Sequence, residues 1–512
     1  LDHPPLIAWL IRGSTELFGN TEAAVRLVPF LCWFVTAFFC FKTAKSLFDR
    51  STAFRTLALL AVLPLFFCTG FLSTPDAPLM ACWSMVFYFM HRALLHGDKT
   101  AWCWICIGIG LGLGMLAKYT MVLLAPGIFT FILMERSQRK WFTRPQPYFA
   151  IGIALLVFLP VIIWNANHDW ASFLFQGPRR FAGSFEFSPE KLVGSAVLMI
   201  TPAGFLALAA FAGCKFKLPA QNPQLRTTIK FVLSFTMIPL AMFFFFSLFR
   251  QVKLNWTGPI WLCFLPLMAW SMVPASLYEN ICRQNRTCML YYKRAGLQSG
   301  MPVAVPGKLL AFVQKLWPGT MLCSSLVLGA VLYYSTLGLP GLAYFTDKPF
   351  LLGWKAMARE IEAMPAYRAN RNKGPLVVGL DKYKIASGLA FYRGRAAENQ
   401  NSPAMQLSKQ TAGRSLFGEE SLMYGLWYPS QKYIGRDMVL VSHDPGRLKK
   451  KNIQDHFESM DDTREIKVVK NKKSVATYYC CMGYGYQLKK SAQTPVPQLA
   501  KKEGQALPNK VF

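Results

Sequence analysis

Ten stretches of this chain are apolar and long enough to cross roughly 30 Å of hydrocarbon. They fall at about 24–42, 54–72, 77–95, 101–117, 119–134, 147–163, 192–212, 229–249, 257–275 and 318–340. Inside a bilayer every backbone N–H and C=O must be satisfied within the segment, so such runs fold as helices and bundle together. The least separated pair, 101–134, is divided only by Lys118-Tyr119. With 53% hydrophobic residues over 512 positions, the composition fits a polytopic membrane protein and not a soluble domain. The expected fold class is mainly α.

The formal net charge of +30 would suit a nucleic-acid partner if it were gathered on a soluble face. Instead the cations lie in short loops beside apolar runs or in the C-terminal third, where anionic lipid explains them better. No nucleic-acid partner is expected. Alternate loops divide unequally. One set carries Lys42, Lys45, Arg50, Arg55, Arg92, Lys99, Arg136, Arg139, Lys140, Arg144, Lys215, Lys217, Arg226 and Lys230, with further cations between 283 and 315. The other carries Lys118, Arg179, Arg180, Lys191, Arg250 and Lys253, after Arg12 and Arg26. The richer set is expected on the cytoplasmic side. Every unusual motif then falls on the external face.

Those motifs are LDHPPLIAWL (1–10), STPDAPL (73–79), AKY (117–119), WNANHDWASFLFQGPRRF (164–181) and RQVKLNWTGP (250–259). Each meets a bilayer edge and sets a charged residue near proline or an aromatic, a costly placement commonly kept for a task. Each also has a plainer reading. Asp2-His3-Pro4-Pro5 can be a capped, extended loop. Asp76 can be a helix N-cap or an acid facing a cavity. Lys118 can snorkel to the surface or, with Tyr119, donate to a phosphate. Lys253, Asn255 and Trp256 can form an interfacial belt, and His168 can be an ordinary surface histidine. Taken together, the motifs offer carboxylates for proton transfer, cations for a phosphate leaving group and rings to stack on a sugar. They include no Walker loop, dinucleotide fingerprint or clear metal-ligand spacing. Such a set suits sugar transfer from a lipid-linked phosphate, which needs no soluble nucleotide.

After residue 345 the pattern changes. Strand, loop and amphipathic helix follow one another at 375–392 and again at 437–457, and two strands are expected at 466–486. The expected organisation is a transmembrane domain over 1–345, a small external α/β domain over 346–487 and a disordered basic tail over 488–512. The 13 cysteines show no disulfide framework. Cys103 and Cys106 form a C-x-x-C inside an apolar run and read as core residues, while Cys480-Cys481 has no evident purpose in the sequence.

DHPPLIAW, LFGNTEAAVRLVPFL, LSTPDAPLMACW, GLGLGMLAKYTMVLLAPG, VIIWNANHDWASFLFQ and VKLNWTGP together resemble the bacterial protein mannosyltransferase-like glycosyltransferases of the GT-C superfamily. These include the lipid A aminoarabinose transferase and the rhizobial lipopolysaccharide galacturonosyltransferases. GLDKYKIASGLAFYRG and LWYPSQKYIGRDMVLVS resemble that group's soluble domain. The resemblance implies a multi-pass bacterial inner-membrane glycosyltransferase with a polyprenyl-phosphate sugar donor and a periplasmic lipid A, glycan or protein acceptor. By position it assigns catalytic roles to Asp76 and Asp2. It assigns the donor phosphate to Lys118, Arg179, Arg180 and Lys253, and the sugar or acceptor to His3, Tyr119, His168, Trp170, Asn255 and Trp256. A divalent metal held by Asp2, His3 and His168 is left open.

Family members carry an Asp-Glu type motif in the first external loop, upstream of the DHPP-like stretch. This sequence starts after that point, so the expectation is an N-terminally incomplete chain with little transferase activity as it stands. Two other readings remain: a flippase or transporter for a lipid-linked sugar, and an inactive homologue that still binds the lipid phosphate. Discontinuous helices in two matching halves would favour a transporter, and no half-repeat is visible.

Overall fold

The computed structural model describes residues 3–96, 101–177, 185–213, 223–272, 308–337, 353–364, 374–398, 410–421, 423–470 and 473–488. They form two compact units, one over His3–Val331 and one from Leu332 onward. The first is helical throughout. Its helices are α1 (Leu6–Phe18), α2 (Glu22–Leu47), α3 (Arg50–Val62), α4 (Pro64–Cys68), α5 (Asp76–Leu94), α6 (Ala101–Ala117) and α7 (Leu124–Met134). There follow α8 (Pro145–Ala166), α9 (Ala171–Gln176), α10 (Pro189–Gly213), α11 (Pro223–Ser247), α12 (Gly258–Ser271) and α13 (Lys308–Leu337). Among the described residues α2, α8, α10 and α11 are each long and apolar enough to cross a membrane.

Two expected spans differ from uninterrupted helices. The 54–72 run breaks at Leu63, whose ψ of 122° ends α3 before Pro64 opens α4. Helix α10 breaks at Thr201 (φ 66°, ψ 161°), immediately before Pro202. The cause is shared: the proline ring clashes with a helical residue ahead of it and pushes that residue to extended ψ.

Helix α12 is the buried centre of the bundle, with every residue except Trp270 out of solvent. Of the helices packed on it, α5 also meets α6, and α5, α6 and α8 pack side by side through the glycines of α6. A Cβ on Gly108 would lie 2.6 Å from the Ala150 carbonyl oxygen, and one on Gly112 2.6 Å from Val157 Cβ, so bare backbone at i and i+4 faces α8. Gly110 turns the same vacancy toward Met85 and Val86 of α5. Close approach of α6 to α5 sets the tips of those two helices together.

Hydrogen bonds between helix ends sort the bundle into two poles. At one, Ser73 Oγ donates to the Val25 carbonyl (3.1 Å) and Ser188 N to the Ser247 carbonyl (2.9 Å). At the other, Ser46 and His96 are bonded (2.8 Å), Arg55 reaches the Ala269 carbonyl (3.4 Å), and Lys230 pairs with Glu135 (3.1 Å). Helices joined at alternate ends carry the described parts of 73–79, 117–119, 164–177 and 250–259 to the first pole.

The second unit holds a six-stranded sheet: β1 (Leu376–Gly379), β2 (Thr411–Gly413), β3 (Met438–Ser442), β4 (Ser459–Met460), β5 (Arg464–Lys470) and β6 (Lys473–Tyr484). The order is β2-β1-β3-β6-β4, with β5 also paired to β6. β1 runs parallel to β2 and β3, and β6 antiparallel to β3. Helices Trp354–Ala363 (α14) and Lys384–Glu398 (α15) cover one face through Met357, Ile361, Ile385 and Leu389, while Leu416, Phe417, Tyr433 and Ile453 cover the other. Burial on both faces explains why β1 and β3 read as continuous apolar runs. Cys480 and Cys481 now have an account. Strand periodicity of two sends Cys480 into one core layer and Cys481 into the other. The helix expected after β3 is two single turns, Pro445–Leu448 and Lys451–Gln454. The tail from 489 lies outside the described residues.

Candidate active site

Asp76 is the first residue of α5, behind Pro75, and makes no cap hydrogen bond to its own helix. Its carboxylate points inward. Lys118 Nζ donates to Asp76 Oδ1 at 2.7 Å, and Asn255 Nδ2 donates to Asp76 Oδ2 at 2.7 Å. Asp76 is 6% exposed and Lys118 7%. An acid and an ammonium out of water are tolerable only when paired and hydrogen-bonded, and here both carboxylate oxygens are satisfied by strong donors. The first turn of α5 adds a favourable helix dipole for the anion.

Each partner is placed by a break in its own element. Lys118 leaves α6 in extended conformation (φ −160°, ψ 135°) before the tight turn Tyr119–Leu123. Its side chain therefore runs into the bundle, and the snorkelling alternative does not hold. Asn255 lies in the turn Leu254–Thr257 that opens α12, and Gly258 seats that helix against Leu65 and Met80.

Beside Lys118, the Tyr119 hydroxyl and Ser172 Oγ are 2.7 Å apart, and the Tyr119 ring meets Phe158 and Phe173 edge-on. Asn165 organises this region, and sequence reasoning passed over it. Fully buried, it accepts from the backbone of Ser172 (3.1 Å) and Phe173 (3.4 Å) and donates to the Val161 carbonyl (2.9 Å). The asparagine pair in WNANHDW was the available signal, since a buried amide there can serve the free N–H groups of a following helix. We expect Asn165→Ala to cost about 1–3 kcal/mol, the usual penalty for unsatisfied buried groups. Proteolysis within 166–177 should quicken accordingly; an unchanged cleavage rate would remove Asn165 from this role.

The remaining assigned residues are more dispersed. His168 stacks on Trp164 (4.2 Å between centroids) and bonds the Trp164 carbonyl (2.7 Å), so its ring serves the helix end. Asp169 and Trp170 both take left-handed conformations (φ 49° and 55°), a strained pair that turns the chain from α8 into α9. Trp170 remains 46% exposed, stacked on Phe173. Trp256 is half-buried against Phe243 and Phe246. Lys253 and His3 are exposed. Asp2, Arg179 and Arg180 lie outside the described residues. Among the described residues no three His, Cys, Asp or Glu side chains are grouped to hold a metal ion.

Comparison with known proteins follows the same lines. Residues 2–164 match the sequence profile of the dolichyl-phosphate-mannose-protein mannosyltransferases. The chain superposes on ArnT from Cupriavidus metallidurans in the apo state with TM-score 0.56 and 14% identity, covering 94% of this chain and 87% of that one. The same protein bound to undecaprenyl phosphate gives TM-score 0.56 and 15% identity, covering 94% and 88%. At such identities the likeness is one of fold: a helical bundle with a small sheet-containing C-terminal region. A search of curated protein sequences returns no match.

Proposed function

We propose that this chain is a membrane glycosyltransferase that moves a sugar from a polyprenyl phosphate to a lipid (lipid A or lipopolysaccharide), glycan or protein acceptor outside the bacterial inner membrane. The observation that carries this reading is the buried Asp76–Lys118–Asn255 cluster at a bundle pole that also gathers Tyr119, Ser172, Trp170 and Trp256. The opposite pole holds the lysine- and arginine-rich helix ends, so the positive-inside rule supports an outward-facing cluster. The small C-terminal unit is then read as periplasmic.

Lys118 supplies the positive charge to hold the donor phosphate and stabilise it as it leaves. Arg179, Arg180 and Lys253 are assigned to the same anion from sequence. Asp76 aligns Lys118 and keeps two lone-pair positions beyond those used, enough to accept a proton from an acceptor hydroxyl or amine; Asp2 is the other candidate base. Trp170 and Trp256 offer ring faces for the sugar. ArnT of Cupriavidus metallidurans, solved with undecaprenyl phosphate, supports a lipid-phosphate donor by its shared fold.

The protein expressed from its full reading frame and purified in detergent, given radiolabelled polyprenyl-phosphate sugar and envelope lipid, tests the reading. A transferase should consume the donor without any membrane gradient and release the lipid phosphate. A flippase would move the donor across vesicles and leave its glycosidic bond whole, and that outcome would displace this proposal.

A further inference from the structure

A cavity of about 400 Å³ opens at the pole opposite Asp76, between the ends of α2, α5 and α7 and the start of α11. Ser46, His91, His96, Gln138, Thr227 and Thr228 line it, and among the described residues no carboxylate does. His91 is 2% exposed and its Nδ1 is buried without a hydrogen-bond partner. A buried polar atom with no partner carries a desolvation cost unless something else satisfies it. Nothing in the chemistry assigned to the Asp76 cluster uses it.

The surroundings indicate what would. The lining offers hydroxyl, amide and imidazole groups, all capable of donating, arranged around one volume. The helix ends that build it also contain Lys45, Arg92, Arg139 and Arg226, each adjacent in sequence to a lining residue. Glu135, the nearest acid in the third segment, is paired with Lys230. Several donors around one volume, at a pole whose helix ends are rich in lysine and arginine, select an anion with several acceptor oxygens. The volume lies in the range of ligand pockets and exceeds a bare tetrahedral anion, leaving room for an ester substituent.

We propose that this cavity is a second ligand site that takes a phosphate group, held by His91, Thr228 and Gln138. Its source is either an anionic phospholipid headgroup at that membrane face or free phosphate. The site is independent of the Asp76 cluster.

The experiment uses the full chain in detergent with the Asp76 cluster silenced by Asp76→Asn and Lys118→Met together. Inorganic phosphate is titrated against chloride of equal ionic strength by thermal shift, and retained phosphatidylglycerol is measured by native mass spectrometry. At least one should bind, and whichever responds identifies the source. His91→Phe and Thr228→Val should each weaken that binding about tenfold, the effect of losing one hydrogen bond to a charged group. Thr228→Val is close to isosteric and keeps the test valid should His91→Phe fail to fold. Absence of binding by both probes overturns the proposal, as does binding that neither substitution alters.

Discussion

Replacing Lys118 by alanine is expected to weaken binding of undecaprenyl phosphate about ten- to hundredfold, the range for deleting a hydrogen bond between charged groups. The same change should also destabilise the bundle by about 3–5 kcal/mol, because Asp76 is left as an uncompensated buried charge. These two effects separate in a second variant. Asp76→Asn with Lys118→Met removes both charges, so most of the stability should return while lipid-phosphate binding stays lost. Thermal unfolding in detergent and native mass spectrometry of bound lipid read the two quantities. If the double variant is no more stable than the single one, the ion pair is not what Lys118 contributes. Undiminished lipid binding in Lys118→Ala would leave the donor phosphate to other residues.

The second large effect concerns a residue that touches no ligand. In Gly112→Val the new Cβ would stand 2.6 Å from Val157 Cβ and 2.9 Å from the Ala154 carbonyl oxygen, distances that atoms do not occupy. Helix α6 must then move off α8, at a cost of about 1–3 kcal/mol for overpacking. Lys118 follows α6 directly, so the shift reaches its contact with Asp76, and weakened lipid-phosphate binding is expected beside the lost stability. Gly152→Ala is the matched control. It faces open space on α8, and alanine there should be neutral or stabilising by about 0.5–1 kcal/mol. Equal losses from both substitutions would show that any side chain added to these helices is harmful and that the α6–α8 approach at Gly112 is not the cause.

Much of this was legible before any coordinates. Hydropathy marked each apolar helix because burial in hydrocarbon is a property of single segments and needs no partner to be recognised. Alternation of those segments was enough to place 73–79, 117–119, 164–177 and 250–259 at one pole. The strands of the second unit showed in the strand, loop and helix order at 375–392 and in the two strands at 466–486. Which prolines break a helix was not legible. Pro29, Pro160, Pro239 and Pro266 sit inside helices, whereas Pro64 opens α4 after the break at Leu63 and Pro202 follows the break at Thr201. Neighbouring helices decide whether the freed carbonyl finds another donor.

Residue type and edge position marked Asp76, Lys118 and Asn255, but their bonding was invisible. Asp76 and Lys118 are 42 residues apart and Asp76 and Asn255 are 179 apart, and such distances depend on how closely whole helices pack. His168, assigned to the sugar or acceptor only by the resemblance, stacks on Trp164, while the unassigned Asn165 holds the loop together. The amino-acid sequence by itself determined that this chain is a membrane bundle with its unusual residues at one end, since solvent preference acts residue by residue. Tertiary structure alone decided that an acid, an amine and an amide share one buried knot, because the glycines of α6 bring Lys118 toward Asp76 while Gly258 seats α12 and the turn that carries Asn255.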